Sequence, residues 1–356
     1  MQVRLLTQSD TTPLQSVATD QYFLHTVVET QLPILRVYTY PEDVLLLGRY
    51  HAAGALGQDP GLTIARRLSG GRAFPSGNGF VQFSLIVPHR SFFFSADPHH
   101  IAPFQILNRY VRGVLHGLKT GGVDVFYPGQ DFLTVQRLPV GWHSFVTADS
   151  GAVLYEGGVF VQRDMSLLPH LLDRADPQGT LPCQLFMPDQ VHNLDKVLGR
   201  SLASDQVVHL LRNGFTQQFE LECLDRDLDK NERASILGKQ AQSDPVPNSR
   251  PLRSDLPHAA TRQTPLGELR VRFSLTPERT IETIQFSGDF LANPAGIQAL
   301  EHNLEGCPLE KASLWQVIDR TFLEPEHYLI GAGKLADLPG VMISASKSKR
   351  VQHLYT

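Results

Sequence analysis

The sequence lacks the features of membrane, secreted and nucleic-acid-binding proteins. No run of apolar residues approaches the ~18 that a spanning helix requires, and the N-terminal stretch has no apolar core of the signal-peptide kind. The formal net charge is only −4 at pH 7, which offers no electrostatic attraction to nucleic acid or to a membrane surface. We therefore expect neither nucleic acid nor a membrane among its partners.

Cysteine and lysine are both scarce. The three cysteines, Cys183, Cys223 and Cys307, are widely spaced and odd in number. This argues against a disulfide framework or a metal site and for a reducing, cytoplasmic compartment. Lysine accounts for 8 residues and arginine for 24, and no lysine lies between Thr120 and Asp195. A function that needs an ammonium group in that range has no lysine to supply it.

The length and composition are those of a globular protein with two domains. A chain of 356 residues, 42% of them hydrophobic, can build more than one core. Proline and charged residues concentrate in 226–264, where large apolar side chains are few, so we predict a linker there. We expect a larger domain in 1–225, a small α+β domain in 265–330 and a basic, loosely ordered tail in 331–356.

Hydrophobic periodicity predicts the main elements of both domains. Apolar residues at helical spacing predict an amphipathic helix from Pro13 to Thr30. Alternating apolar and polar residues predict strands over 269–273 and 281–286, and two helices are predicted over 297–304 and 309–322. The second domain therefore reads as a hairpin followed by helices.

The stretch 64–87 concentrates residue types that bind anions. Arg66 and Arg67 precede Ser69-Gly70-Gly71, and Gly77-Asn78-Gly79 leads into an apolar run that predicts a buried strand. Glycines allow main-chain N–H groups to approach a ligand closely, and successive N–H groups form an anion-binding concavity. Guanidinium groups bind phosphate or carboxylate with two parallel hydrogen bonds. The alternative is an ordinary turn with two solvated arginines, since Gly-Gly pairs are common in turns.

The wider pattern of this stretch, RRLSGGRAF followed by GN and the strand FSLIV, resembles the signature of the lipoate–protein ligase and biotin–protein ligase superfamily. The chain departs from that signature at Arg72, where the family usually has a third glycine. The later stretch GELRVRF…IETIQFSGDF resembles the accessory domain of lipoate–protein ligases. The resemblance implies an α+β catalytic domain with a mixed, largely antiparallel sheet flanked by helices, and a small C-terminal α+β domain.

The resemblance also implies a function and a set of binding residues. Such enzymes activate lipoate or octanoate with ATP and Mg²⁺, and then pass the acyl group to a lysine of a lipoyl domain or of a glycine-cleavage H-type acceptor. Cations near the carboxylate and the α-phosphate stabilise the charge that builds up in the transition state. The residues that we expect to bind the ligand are Arg49, Arg66, Arg67, Ser69, Gly70, Gly71, Arg72, Asn78 and Asp131. For Arg49 alone the alternative is a surface arginine.

The lysine that the family uses for activation has no counterpart here. It normally follows a G-R-N-D segment, which Gly129-Gln130-Asp131 resembles without the arginine, and its expected position falls on or beside His143. A histidine is mostly uncharged at pH 7 unless a carboxylate raises its pKa. We therefore expect weak or absent adenylation by the usual route. His143 is a catalytic candidate, and a half-exposed strand histidine is the alternative.

Cys183 offers a second route. Pro182-Cys183 and the segment 191–199 resemble the octanoyltransferase branch of the superfamily, in which a Pro-Cys pair supplies the nucleophile. A thiolate can accept an octanoyl group by thioester exchange without ATP. The alternative is a buried, unreactive cysteine. Three functions stay open: a ligase-like acyltransferase, a transferase that uses Cys183, and a non-catalytic protein that binds the ligand.

Overall fold

The computed structural model describes residues 1–51, 59, 61–175, 190–241, 252–347 and 352–354. The strands are β1 (Gln2–Gln8), β2 (Ile34–Tyr38), β3 (Val44–Leu47), β4 (Thr63–Arg66), β5 (Phe74–Ser76), β6 (Phe80–Val87), β7 (Phe132–Val135), β8 (Leu138–Thr147), β9 (Val153–Phe160), β10 (Glu222–Asp225), β11 (His258–Thr264), β12 (Gly267–Leu275), β13 (Ile281–Gly288), β14 (Leu291–Ala292), β15 (Leu329–Ile330) and β16 (Gln352–Leu354). The helices are α1 (Pro13–Thr30), α2 (Ile106–Thr120), α3 (Leu168–Ala175), α4 (Leu194–Leu198), α5 (Ser204–Gln218), α6 (Lys230–Ala241), α7 (Pro294–Leu304), α8 (Lys311–Phe322) and α9 (Leu338–Lys347). Within the described ranges, none of these helices combines the length and the apolar character needed to cross a bilayer.

A seven-stranded mixed sheet organises the N-terminal part of the chain. Its strands follow the order β10-β1-β2-β6-β9-β8-β7, with parallel pairing of β1 to β10 and β2 and antiparallel pairing elsewhere. Neighbouring residues of a strand point to opposite faces, so Leu5 joins the core beneath α2 and α5 while Leu6 joins the core beneath α1. Because both faces are covered, every residue of β6 is buried.

A smaller sheet of order β4-β3-β5 lies on the same face as α1. Phe80, Trp142 and Phe160 of the large sheet share one apolar core with this small sheet. The face of the large sheet is therefore covered at one end by α1 and at the other by β3, β4 and β5. This division leaves the middle of the face for the segment between Arg67 and Ala73, which leads from β4 to β5.

The C-terminal unit is a second α+β core. Strands β13, β12 and β11 form an antiparallel sheet, and β16 pairs with β11 in parallel. Helices α7, α8 and α9 contribute Leu300, Leu314 and Met342 to one core with Phe273 of β12. The predicted fold class, a mixed and largely antiparallel sheet flanked by helices with a small C-terminal α+β domain, is confirmed. Helix α1 has the predicted bounds, and α7 and α8 lie where helices are predicted.

Two stretches that composition marks as linker and tail contain regular structure. The described part of 226–264 holds α6 and β11, and the described part of 331–356 holds α9 and β16. Helix α6 is ordered because Ile236 is buried against α1 and because Glu232 accepts two hydrogen bonds from Arg4 of β1, at 2.5 and 2.8 Å. Helix α9 is ordered because its apolar side chains complete the C-terminal core.

We predict that Met342→Ala lowers the free energy of unfolding of the C-terminal unit by about 2–5 kcal/mol, because Met342 is fully buried in its core. Urea denaturation followed by tryptophan fluorescence measures the change. Lys347→Ala, at an exposed position of the same helix, is the matched control. A loosely ordered tail would make the two variants equally stable, and that result would contradict the core assignment.

Candidate functional site

A row of polar side chains crosses the face of the large sheet between its two apolar cores. Arg36, Ser84, Glu156 and Ser144 come from β2, β6, β9 and β8, and the strand registers place each opposite the next. All four residues are buried. Arg36 forms an ion pair with the carboxylate of Asp20 in α1, and Ser84 donates a hydrogen bond to the same carboxylate at 2.9 Å. Buried polar groups of this kind need hydrogen-bond partners. Glu156 and Ser144 find theirs in the segment Ser69-Gly70-Gly71.

The glycine segment, Ser69-Gly70-Gly71, lies on that polar row. The main-chain N–H of Ser69 donates to Oε1 of Glu156 at 3.1 Å, and the Ser144 hydroxyl donates to the carbonyl oxygen of Gly70 at 3.1 Å. Burial raises the pKa of Glu156, an effect that the nearby Arg67 opposes. The segment also touches the end of β3 so closely that a Cβ on Gly48 would lie 1.8 Å from the carbonyl oxygen of Gly71. Glycine is therefore required at position 48.

Arg66 is buried and binds the main chain. Its Nη1 donates to the carbonyl oxygens of Gly48 and His51 at 2.8 and 2.9 Å, and the residue is only 2% exposed. Burial, followed by the charges of Arg67 and Arg49, lowers the pKa of Arg66 to about 10. The group is still charged at pH 7, and carbonyl oxygens rather than a carboxylate stabilise it.

Arg67 holds the glycine segment to the small sheet. Its Nη1 donates to Leu46 of β3 at 3.1 Å, and its Nη2 donates to the carbonyl oxygens of Gly70 and Arg72 at 3.1 and 2.9 Å. The guanidinium carbon lies 4.6 Å from the ring centroid of Trp142, a cation–π distance. The alternative of two solvated arginines is wrong, because both side chains are buried and donate to main-chain carbonyl oxygens. Those of Arg66 lie directly after β3, and those of Arg67 lie in β3, at Gly70 and at Arg72.

Arg72 and Asp131, both predicted to bind ligand, bind each other. Nε and Nη2 of Arg72 donate to the two carboxylate oxygens of Asp131 at 2.5 and 2.9 Å, and both residues are about 99% buried. The guanidinium also lies 4.8 Å from the ring centroid of Phe132. This ion pair therefore joins the residue after the glycine segment to the residue before β7.

The C-terminal unit covers the glycine segment. The N–H of Gly71 donates to the carbonyl oxygen of Phe290 at 2.9 Å, and a Cβ on Gly70 would lie 2.1 Å from that same oxygen. The ring of Phe290 stacks on Tyr50, with centroids 4.8 Å apart. The face of the segment that points away from the polar row is thus in contact with the accessory unit.

Asp289 is the titratable group at this contact. Its Oδ2 accepts a hydrogen bond from the N–H of Glu268 at 3.0 Å, and its Oδ1 has no hydrogen-bond partner in the described part of the chain. The residue is completely buried, and burial raises the pKa of Asp289 to about 7; the charge of Arg72 acts in the opposite direction. Sequence reasoning misses Asp289 and Phe290 as site residues, and their signal is the Gly-Asp-Phe motif within the stretch that resembles the accessory domain.

His143 is a neutral, fully enclosed side chain. Its Nε2 lies 3.0 Å from the carbonyl oxygen of Gln130 and its Nδ1 lies 2.9 Å from the Tyr155 hydroxyl. Since a carbonyl oxygen can only accept, Nε2 carries the proton and Nδ1 accepts from the tyrosine. Burial lowers the pKa of His143 to about 4. The half-exposed alternative is wrong, and the ring supplies no positive charge at pH 7.

The remaining predicted site residues lie apart from one another. Arg49 is half-buried at the end of β3, where its N–H donates to the carbonyl oxygen of Ser69 at 2.8 Å. Asn78 is exposed in the turn before β6 and lines a different surface cleft, with Tyr40. Cys183 lies outside the described residues. Sequence reasoning missed the polar row, whose signal was the polar residues inside the apolar run of β6.

We predict that Gly70→Ala separates residues 288–292 from the glycine segment, because its Cβ would overlap the carbonyl oxygen of Phe290. The cost expected for such overpacking is about 1–3 kcal/mol or more. Hydrogen exchange followed by mass spectrometry should show faster exchange in peptides that span 69–72 and 288–292. Gly238→Ala in α6 is the control, because no atom lies within 4 Å of the added Cβ. Unchanged exchange in Gly70→Ala would contradict the contact.

We predict that the free energy of unfolding of the wild type falls as the pH rises from about 4 to 7, and that Asp289→Asn removes this fall. The folded carboxyl keeps its proton up to about pH 7, whereas the unfolded one loses it near pH 4. The folded state therefore binds more protons in this window, and stability falls as the pH rises, by at most about 1.4 kcal/mol per pH unit. Urea denaturation at a series of pH values measures the slope. The exposed Asp149→Asn should keep the wild-type slope, and the same slope in Asp289→Asn would refute the assignment.

Comparisons with known proteins agree with this architecture. Residues 12–216 match the family described as the lipoyl protein ligase A/B catalytic domain. Residues 257–338 match the bacterial lipoate protein ligase C-terminus. No curated protein is similar enough in sequence to match the chain. The two matched ranges follow one another in the same chain, and the described residues between them include α6.

Several solved structures share the fold. P. falciparum LipL1 in complex with lipoate has a TM-score of 0.68 at 13% identity, over 96% of this chain and 99% of that chain. A bipartite lipoate protein ligase from Thermoplasma acidophilum, studied with its E2 lipoyl domain, has a TM-score of 0.55 at 19% identity, over 68% of this chain and 93% of that chain. A lipoate-protein ligase A bound with ATP has a TM-score of 0.55 at 18% identity, over 68% and 96%. At these identities the likeness concerns the fold, but the catalytic-domain match spans more than half of the 356 residues, and the chain belongs to the lipoyl protein ligase A/B family.

Proposed function

We propose that this chain binds lipoate or octanoate, as the free acid or as its adenylate, and transfers the acyl group to a lysine of a lipoyl acceptor domain. The observation that carries the proposal is a set of buried donors without partners in the described residues: Ser69 Oγ, Arg67 Nε and Trp142 Nε1. Buried polar atoms are rarely left unpaired. These three belong to the glycine segment, to the arginine that holds it and to the ring beside that arginine, so a polar ligand at this place would satisfy them.

The proposed reaction has two steps. A carboxylate oxygen of the acid attacks the α-phosphorus of ATP, and the bond to pyrophosphate breaks. The neutral amine of the acceptor lysine then attacks the acyl carbon, the bond to AMP breaks, and the nitrogen releases a proton. Relatives solved with lipoate, with ATP and alongside an E2 lipoyl domain support this choice of substrates. An H-type acceptor protein is the other acceptor we propose.

Mg²⁺ would reach such a site together with the nucleotide. Within the described residues, no group of three or more His, Cys, Asp or Glu side chains is placed to hold a metal ion. Mg²⁺ commonly binds through substrate phosphates and one or two carboxylates. Asp131 and Glu156 already accept hydrogen bonds from Arg72 and from the N–H of Ser69. Phosphate oxygens would therefore supply most of the ligands of the ion, which would neutralise their charge.

A second candidate is a protein that binds the ligand without activating it. The observation that favours it is that three predicted sources of positive charge, unlike Arg49, are neutral or already engaged. His143 is neutral, Arg72 is paired with Asp131, and Arg67 donates to main-chain carbonyls. None of these groups is positioned as a free charge near the glycine segment. Binding without turnover therefore follows if no other cation reaches the ligand.

Calorimetry and pyrophosphate exchange separate the two candidates. We expect lipoate, octanoate or a sulfamoyl analogue of lipoyl-adenylate to bind the wild-type protein. Ser69→Ala should bind about tenfold or more weakly, because one hydrogen bond to a charged group is lost. Ser201→Ala, at an exposed position, is the matched control. ATP–pyrophosphate exchange supports the ligase; binding without exchange supports the second candidate; and absence of binding by all three compounds would exclude both.

The route through Cys183 stays a separate proposal and has its own test. Transfer from octanoyl-loaded acyl carrier protein to a lipoyl domain, without ATP, is measured by mass spectrometry with wild type and Cys183→Ala. Loss of transfer in the variant supports a thioester on Cys183. Full transfer in Cys183→Ala, or no ATP-independent transfer by the wild type, eliminates that route.

A further inference from the structure

Glu156 is a buried carboxyl group in the middle of the polar row. It lies in β9 opposite Ser84 of β6 and Ser144 of β8, and it is only 5% exposed. Both strand neighbours are uncharged, and within the described residues no cation lies within ion-pair distance of the carboxylate. Carboxyl groups are rarely buried unless they are paired, and unpaired ones are often functional. The two reaction steps proposed above leave this group without a role.

One of the two oxygens of Glu156 is available to a ligand. Oε1 accepts the hydrogen bond from the main-chain N–H of Ser69 at 3.1 Å, whereas Oε2 accepts none from the part of the chain that the structure describes. A carboxylate offers about four acceptor positions, so most of the capacity of Glu156 is unused. The group is therefore held in place through one oxygen and can accept from a donor at the other.

The charged and titratable groups around Glu156 come from three elements. Arg67 lies in the connection from β4 to β5, Asp20 lies in α1 and Tyr38 lies in β2. Burial raises the pKa of Glu156, the charge of Arg67 lowers it, and the charge of Asp20 raises it. Burial also raises the pKa of Tyr38 to about 12, so this phenol is neutral at pH 7. A carboxylate with a raised pKa is a stronger base than one in water.

Glu156 lies beside the unpartnered donors that carry the proposed function. The register of β8 and β9 pairs Ser144 with Glu156 and Trp142 with Gly158, so Trp142 and Glu156 occupy neighbouring pairs on one face of the sheet. A Cβ on Gly158 would lie 2.6 Å from Trp142 Nε1, so the glycine leaves room for that donor. Ser69, whose hydroxyl is another of the donors, binds Glu156 through its N–H. An acyl group bound by these donors would therefore lie next to Glu156.

The charge of Glu156 suits the acceptor lysine better than the acid. A carboxylate cannot donate to the anionic acid or to its phosphate, but it attracts the ammonium group of a lysine. That ammonium group has a pKa of about 10.4 in water and is protonated at pH 7. Only the neutral amine can attack an acyl carbon, so the transfer step needs a group that removes this proton.

We propose that Glu156 is the general base of the transfer step and removes a proton from the ammonium group of the acceptor lysine. The proton moves from the lysine nitrogen to Oε2, and the neutral amine then forms a bond to the acyl carbon. The bond from that carbon to AMP breaks, and its electron pair stays on the AMP oxygen. The second proton of the nitrogen passes to the phosphate of the departing AMP, and Glu156 releases its own proton to water. This inference rests on the proposed function and deepens it, because it assigns the proton acceptor.

The test starts from synthetic octanoyl-adenylate, so that its outcome does not depend on activation by ATP. Mass spectrometry follows transfer to a lipoyl domain, and the rate measured without the enzyme is subtracted. Glu156→Gln should lower kcat/KM for the lipoyl domain about 100-fold or more at pH 7, which is the usual contribution of a general base. The amide oxygen of the variant can still accept the N–H of Ser69. Glu29→Gln, at an exposed position of α1, is the matched control.

The pH dependence of transfer separates a base from a structural group. In the wild type, kcat/KM should be constant from above the pKa of Glu156 to about pH 9, because the carboxylate and the ammonium group are both in the required state. In Glu156→Gln, it should rise about tenfold per pH unit over the same range, because only lysine that has already lost its proton reacts.

Two further measurements report on the structure of the site. Glu156→Gln should bind octanoyl sulfamoyl-adenosine at least as tightly as the wild type does by calorimetry. Hydrogen exchange in a peptide that spans 69–72 should stay as slow as in the wild type. Slower transfer with the steeper pH dependence, intact binding and intact exchange protection supports the assignment.

The other results overturn it. Slower transfer together with weaker binding of the analogue and faster exchange would show that Glu156 only holds the glycine segment. Equal transfer by Glu156→Gln and the wild type, with the same pH dependence, overturns this inference and leaves the proposed function standing. If the wild type transfers no octanoyl group from the adenylate, both are overturned.

Discussion

The hydrogen bonds from Arg67 to main-chain carbonyl oxygens determine the shape of the candidate site. One bond reaches β3, one returns to Gly70 and one reaches Arg72 directly after the segment, so a single buried guanidinium fixes the segment between the small sheet and the polar row. Burying a charge costs several kcal/mol unless it finds partners. Here the carbonyl oxygens of an irregular segment and the face of Trp142 provide them, and the segment in turn gains an ordered main chain.

That arrangement constrains everything that touches the segment. A segment pinned this closely leaves no room for side chains at Gly48 or Gly70, and through Gly71 it binds the carbonyl oxygen of Phe290 in the C-terminal unit. The same closeness brings Arg72 to Asp131 and encloses Asp289, one oxygen of which has no hydrogen-bond partner among the described residues. The accessory unit is therefore coupled to the glycine segment by the main-chain contact between Gly71 and Phe290 and by the interaction of Asp289 with Arg72. A ligand at the glycine segment would compete with both contacts.

The sequence predicts the fold better than the site. Periodicity locates α1 at its observed bounds, because Val17, Phe23 and Val27 recur near helical spacing and are all buried. Composition misleads in 226–264 and 331–356, because α6 and α9 are stabilised by distant partners such as Arg4 of β1. In the site, sequence reasoning selects the residues next to the glycines, but it does not predict their environments. Whether an arginine meets a ligand, water or a carbonyl oxygen depends on β3, which lies about twenty residues away in the chain.

Activation of a carboxylate by ATP requires a positive charge that is free to bind the ligand. A buried cation that already donates to carbonyl oxygens or to a carboxylate stabilises a new anion only weakly. His143 is neutral at pH 7, because burial lowers its pKa to about 4. Within the described residues, the guanidinium of Arg49 forms no hydrogen bond or ion pair, and the main-chain N–H of this half-buried residue donates to Ser69 at the edge of the glycine segment. Arg49 is therefore the predicted cation whose charge stays available beside that segment. Because it is only half-buried, water screens its charge less than that of a fully exposed side chain.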